Sequence, residues 1–174
     1  ESESRGLGDV YKRQIYNNDV QNGDGAGIGI FWSQELSVSN TTVYDNNAVG
    51  DNNCTAGGLM TQDLDKLTVL NSMFYDNEAR CDHSVRIGRV QEYSVNHTLI
   101  ENGLNFQDVE NYTGVVQNSI VLSNSIQQWG ATKPSKLTIQ NNLINGNINL
   151  DYEIDKYGAN NLLGASTAFV DAAN

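Results

Sequence analysis

The stretch Leu67-Thr-Val69-Leu-Asn71-Ser-Met-Phe74-Tyr-Asp-Asn77 carries a pattern that returns along the chain. Counting from Val69, an aliphatic origin is followed by Asn two residues on, a branched or aromatic residue five on, and Asn eight on. Leu36-Ser-Val38-Ser-Asn40-Thr-Thr-Val43-Tyr-Asp-Asn46 repeats it in full. Val95 opens a third window in which His97 and Gly103 replace the asparagines. Val116, Asn118, Val121 and Asn124 make a fourth; Ile139, Asn141, Ile144 and Asn147 make a fifth. A degraded sixth begins at Ala159 with Asn161. The origins lie 31, 26, 21, 23 and 20 residues apart.

Spacings of this size mark repeats in which each unit buries its apolar side against its neighbours. Inside each window the apolar residues alternate, as in Leu36 and Val38 or Leu67 and Val69, and β-branched types dominate. The period is two, so each unit is a strand and not a helix. The asparagines two residues on fall where the strand turns. Asn accepts a left-handed backbone there, and its amide both donates and accepts hydrogen bonds. Stacked amides at Asn40, Asn71, Asn118, Asn141 and Asn161 are therefore predicted to form a buried ladder that satisfies the turns.

The 174 residues suffice for one domain. Pro134 is the single proline, in the polar turn Ala131-Thr-Lys-Pro-Ser-Lys136, and nothing else reads as a linker. Lys+Arg number 10 against Asp+Glu 21, a net charge of -11 that repels phosphate backbones, so nucleic acid is not an expected partner. No run of 18 apolar residues is present, so no membrane span is predicted.

Ile15-Tyr-Asn-Asn18 matches Val43-Tyr-Asp-Asn46 and Phe74-Tyr-Asp-Asn77, so the repeat is entered in mid-unit. Ahead of it, Gly6-Leu-Gly-Asp-Val-Tyr-Lys-Arg-Gln14 resembles translated sequencing-adaptor tails. Residues 1 to 14 are accordingly read as a non-native tail, and 15 to 174 as the domain. Gly25-Ala-Gly-Ile-Gly-Ile30, Ala56-Gly-Gly-Leu59 and Ser84-Val-Arg-Ile87 supply a second strand per unit. With Phe74-x-x-Asn77, these glycine segments are similar to the paired short motifs of polymorphic outer-membrane protein repeats. Ala159-Asn-Asn-Leu-Leu-Gly164 with Ala168-Phe-Val-Asp-Ala-Ala-Asn174 resembles the closing coil of bacterial parallel β-helix proteins of the pectin-lyase-like superfamily. The two resemblances imply an all-β, single-stranded, right-handed parallel β-helix of about six coils. They also imply an internal fragment without caps, whose neighbouring coils lie in a longer protein.

Several constellations bear on function. Tyr16, Tyr44 and Tyr75 share one outward column and are expected to stack, with a platform for sugar rings as the functional alternative. Asp45 and Asp76 occupy the next column, but neither an EF-hand loop nor a glycine-aspartate nonapeptide is present, so no metal or cofactor is predicted. Cys54 and Cys81 fall in the same loop of consecutive units and form a disulfide candidate, which would indicate an oxidising compartment. Asp82, His83, Arg86, Arg89, His97 and Glu101 mix acids, bases and cations, as a polysaccharide lyase requires. Among pectin-lyase-like enzymes, however, polygalacturonases carry Asn-Thr-Asp, Asp-Asp and Gly-His-Gly sets, and pectate lyases a dense aspartate calcium site. This chain matches neither, so no catalytic residue is assigned. The expected function is a non-catalytic, extracellular or cell-surface scaffold of bacterial, adhesin-like type, binding a polysaccharide or a surface protein. The alternative is a fragment of a polysaccharide lyase or glycoside hydrolase.

Overall fold

The computed structural model describes residues 13–21, 25–48, 56–79, 83–107, 113–122, 126–129, 136–146, 148–149 and 160–163. Among these residues the chain is all-β, no helix occurs, and every strand pairing is parallel, an arrangement compatible with a parallel β-helix. Three sheets run through it, and each takes strands from successive sequence repeats.

The longest strands are Ile28–Ser39, Leu59–Leu70 and Val85–Asn96, paired side by side. Beyond Val85–Asn96 the next repeat supplies two shorter strands in place of one. Leu104–Gln107 pairs with the first half of Val85–Asn96, and Thr113–Gln117 with the second. Lys136–Gln140, Ile126–Trp129 and Ile148–Asn149 complete this eight-stranded sheet. A seven-stranded sheet orders Arg13–Tyr16, Thr41–Tyr44, Met73–Tyr75, Leu99–Glu101, Ile120–Leu122, Leu143–Ile144 and Leu162–Leu163. Asp19–Val20, Asn47–Ala48 and Glu78–Ala79 form a third, three-stranded sheet. Arg13 and Gln14, placed by sequence in the tail, pair with Thr41 and Thr42. Residues 1–12 of that tail lie outside the described residues.

The repeat origins set the register. Val38, Val69, Val95, Val116 and Ile139 are consecutive partners across the eight-stranded sheet, and all are buried. Val43, Phe74, Ile100, Val121 and Ile144 form the matching column in the seven-stranded sheet, each fully buried. The residues at origin and five on thus build one continuous core. Each such side chain removed from water stabilises the fold by about 1.5–3 kcal/mol.

Single residues in the left-handed region turn the chain between sheets. Asn40, Asn71, His97, Asn118 and Asn141, with φ of 49° to 55°, separate the eight-stranded from the seven-stranded sheet. Asn17, Asp45, Asp76 and Asn102, with φ of 50° to 62°, end the strands of the latter. Asn and Asp suit these places because their short polar side chains tolerate positive φ. A third left-handed set, Trp32, Asp63 and Arg89, bends the twelve-residue strands partway along.

The buried ladders lie elsewhere than at the corner asparagines. Asn71, Asn118 and Asn141 are exposed, and Asn40 is half-buried. One residue further on, Thr41, Ser72, Thr98, Ser119 and Asn142 are all buried. Thr41 N donates to Ser72 Oγ at 3.3 Å, Thr98 N to Ser119 Oγ at 3.2 Å, and Ser119 N to Asn142 Oδ1 at 2.9 Å. The chain of bonds ends with Asn142 N donating to Asn161 Oδ1 at 3.0 Å. Asn161 therefore belongs to this ladder and not to the corner column, because Leu143 pairs with Leu162 and places Asn160 beside Asn141. In the Asn-Asn doublets either residue suits a left-handed corner, and residue type alone does not say which one takes it. A second ladder runs through the asparagines eight on: Asn18 Nδ2 donates to Asn46 Oδ1 at 2.8 Å and Asn46 Nδ2 to Asn77 Oδ1 at 2.9 Å.

Candidate functional site

The outer face of the seven-stranded sheet brings most of the sequence-predicted surface residues together. Strand alternation sends Thr42, Met73, Leu99, Ile120, Leu143 and Leu162 to the outside, in one register-matched column. Five of these six are apolar. Met73 is 38 % exposed and Leu162 63 %. These residues form a contiguous apolar strip on an outward face.

Beside the strip, an open groove of about 420 Å³ has Met73, Leu99 and Ile120 along one side and Asn71, His97 and Asn118 along the other. Its polar wall exists because the left-handed corners hold these side chains outside the core. His97 stands in a column otherwise made of amides.

On the far side of the strip lies the tyrosine column. The Tyr16 and Tyr44 rings stack at 5.0 Å with planes 9° apart, and Tyr44 and Tyr75 at 5.2 Å and 7°. Both faces of the Tyr44 ring are thus covered by its neighbours. A sugar ring stacking on an aromatic needs a free face, and Tyr44 offers only its edge and hydroxyl. Partial desolvation raises the Tyr44 pKa, and Tyr16, Tyr75 and Asp45 add to the effect. Next in the column, Glu101 Oε2 accepts from Asp76 N at 3.3 Å. Asp45 and Asp76 are exposed corner residues. Among the described residues no group of three or more His, Cys, Asp or Glu is placed to hold a metal ion.

The mixed cluster does not converge. His83 and Arg86 are buried, whereas His97 is an exposed corner and Glu101 lies on the outer face. Arg89 is at the strand bend, where its Nε and Nη2 donate to Asp63 Oδ1 and Oδ2 at 2.6 and 2.7 Å. Unbroken alternation from Val85 and Ile87 would point Arg89 inward. The left-handed bend shifts the phase of the strand there, so Ile87 and Val90 point inward and Arg89 is partly exposed. Asp82 and the disulfide candidates Cys54 and Cys81 lie outside the described residues.

No family model, no curated protein and no solved structure matches the chain. No helix among the described residues is long and apolar enough to cross a membrane.

Proposed function

We propose that the chain is a segment of a right-handed, single-stranded parallel β-helix of about six coils, of the pectin-lyase-like kind. In this reading it is a non-catalytic, adhesin-like scaffold at the cell surface or outside the cell, and it binds a protein partner through the outer face of the seven-stranded sheet. The observation that carries the reading is the apolar column Met73, Leu99, Ile120, Leu143 and Leu162 on an outward face, next to the groove walled by Asn71, His97 and Asn118. Apolar anchors bordered by hydrogen-bonding groups suit a protein surface better than a polysaccharide. The stacked tyrosines extend the same face.

Beads coated with the chain test the idea against beads coated with the Leu99→Lys/Ile120→Lys variant. Both substitutions are on the outer face, so the fold is kept. Adhesion to cultured cells is expected to fall with the variant, and to fall when the cells are first treated with trypsin. Equal adhesion of the two coatings removes this face as the binding surface, and if the adhesion lost in the variant is also lost after periodate but not trypsin, a glycan replaces the protein partner at this face.

A further inference from the structure

A second surface, away from the seven-stranded sheet, carries an aromatic ring whose position the fold does not explain. Trp32 is 79 % exposed, the highest value among the exposed large apolar side chains of the described residues. It also adopts φ of 50°, a left-handed conformation that costs a bulky residue on the order of 1 kcal/mol or more. Asn or Gly would turn the strand there with less strain, and neither would leave an indole in water.

The bend gives Trp32 its neighbours. Phe31 pairs with Gln62 and Ser33 with Leu64, so Trp32 and Asp63 both stand out of the ladder at the same level. Arg89 does the same one repeat further on, between the pairs Gln62 with Gly88 and Leu64 with Val90. The Asp63 carboxylate and Arg89 guanidinium are joined by two hydrogen bonds, with side chains 28 % and 40 % exposed. Two residues along, Gln91 Nε2 donates to Asp65 Oδ1 at 3.0 Å, and Gln34 is exposed in the same row. Trp32 thus stands at the level of Asp63 on the next strand and Arg89 on the one after, whose planar groups are joined by hydrogen bonds.

We infer that Trp32, with Asp63, Arg89 and Gln91 beside it, forms a binding site for a neutral pyranose glycan. A pyranose presents an apolar C–H face and an edge of paired hydroxyls. The indole takes the first, and the carboxylate, guanidinium and amide groups take the second. Charge selects against uronic acids, because Arg89 is already paired with Asp63 and the chain carries -11 overall. The tyrosine column is less suited to this role, since both faces of its central ring, Tyr44, are covered by its neighbours.

Calorimetric titration of the chain with cellohexaose, xylohexaose, maltohexaose and hexagalacturonate tests the site. Saturable binding of at least one neutral hexasaccharide is expected. Trp32→Asn should weaken it about tenfold or more while leaving the unfolding midpoint unchanged or raised, and Trp32→Phe should retain most of it. Arg89→Gln should also weaken binding. Three results overturn the inference: no saturable binding of any neutral hexasaccharide, binding undiminished in Trp32→Asn, or binding of hexagalacturonate alone. The adhesion assay reads the other face, so either proposal can fail while the other stands.

Discussion

The Tyr93 ring occupies the space that a side chain at Gly114 would need. The two residues are register partners on adjacent strands, and a Cβ built on Gly114 would overlap the ring. Their neighbours in the same column are Leu67 and Leu137, so one oversized residue and one absent side chain replace two leucine-sized ones. The ring then stacks on Phe106 at 5.1 Å, fully inside the core.

Gly114→Ala is therefore expected to destabilise the chain by about 1–3 kcal/mol through overpacking. Tyr93→Leu should leave a void of its own, yet Tyr93→Leu/Gly114→Ala should cost less than the sum of the two single changes. Urea unfolding of the three variants measures this. Strict additivity would mean that ring and glycine do not share the space.

Burial of Tyr93 also sets an alkaline limit on stability. Desolvation pushes its phenol pKa well above the ordinary value near 10. The folded chain then keeps a proton that the unfolded chain releases. The stability from this group is full below pH 10 and declines above it, by at most about 1.4 kcal/mol per pH unit. Unfolding followed from pH 9 to pH 11.5 should show that decline, and Tyr93→Phe should flatten it. A variant with the same slope as the parent would place the effect elsewhere.

The ladders separate residues that the sequence pattern treats alike. Asn77 Oδ1 accepts from Asn46, and its Nδ2 donates to Val43 O at 2.8 Å and Ser84 Oγ at 3.2 Å, all in the interior. Asn77→Ala should cost about 1–3 kcal/mol for each buried group left without a partner. Asn71 lies at an exposed corner with φ of 49°, so Asn71→Gly should stay within about 0.5 kcal/mol of the parent. Thermal unfolding of the two variants ranks them. Equal losses would contradict the difference between corner and ladder.

Arg89 holds the Asp63 carboxyl below the usual carboxylate range, chiefly through the hydrogen bonds between them. The resulting stability is present above the ordinary carboxyl value near 4 and is lost as pH falls through the lower folded value. Because both side chains are partly exposed, Asp63→Asn should cost no more than about 1 kcal/mol at pH 7, and less at pH 2. Guanidinium titrations at the two pH values check this. An equal cost at both would assign the loss to packing.

Much of the fold was legible because alternation and repeat spacing act together. The windows at Val38, Val69, Val95, Val116 and Ile139 place their origins in one register, and the tyrosines follow. Asn161 is a ladder residue as predicted, but at Asn40, Asn71, Asn118 and Asn141 the ladder lies one residue further on, because the asparagines take the left-handed corners and the residues after them turn inward. The signal was present in Thr41, Ser72, Thr98 and Ser119, each directly following a corner residue. The bend at Trp32, Asp63 and Arg89 was hidden by the unlike chemistry of its three residues. It could have been found in the apolar phase, which passes from Leu59 to Leu64 and from Ile87 to Val90 without the even spacing of a straight strand. The outer apolar column is not marked by the repeat pattern, because Met73, Leu99 and Ile120 fall between the fixed positions of the windows.

In the proposed β-helix, successive repeats lie directly above one another along one axis. Spin labels at Thr42 and, in turn, at Leu99, Ile120 and Leu143 measure this by pulsed electron resonance in solution. All four positions are outward members of one column. The separation should grow by about 4.8 Å with each step along the column, the spacing of hydrogen-bonded strands. A separation that stays constant or shrinks from Leu99 to Leu143 would contradict the stacked arrangement.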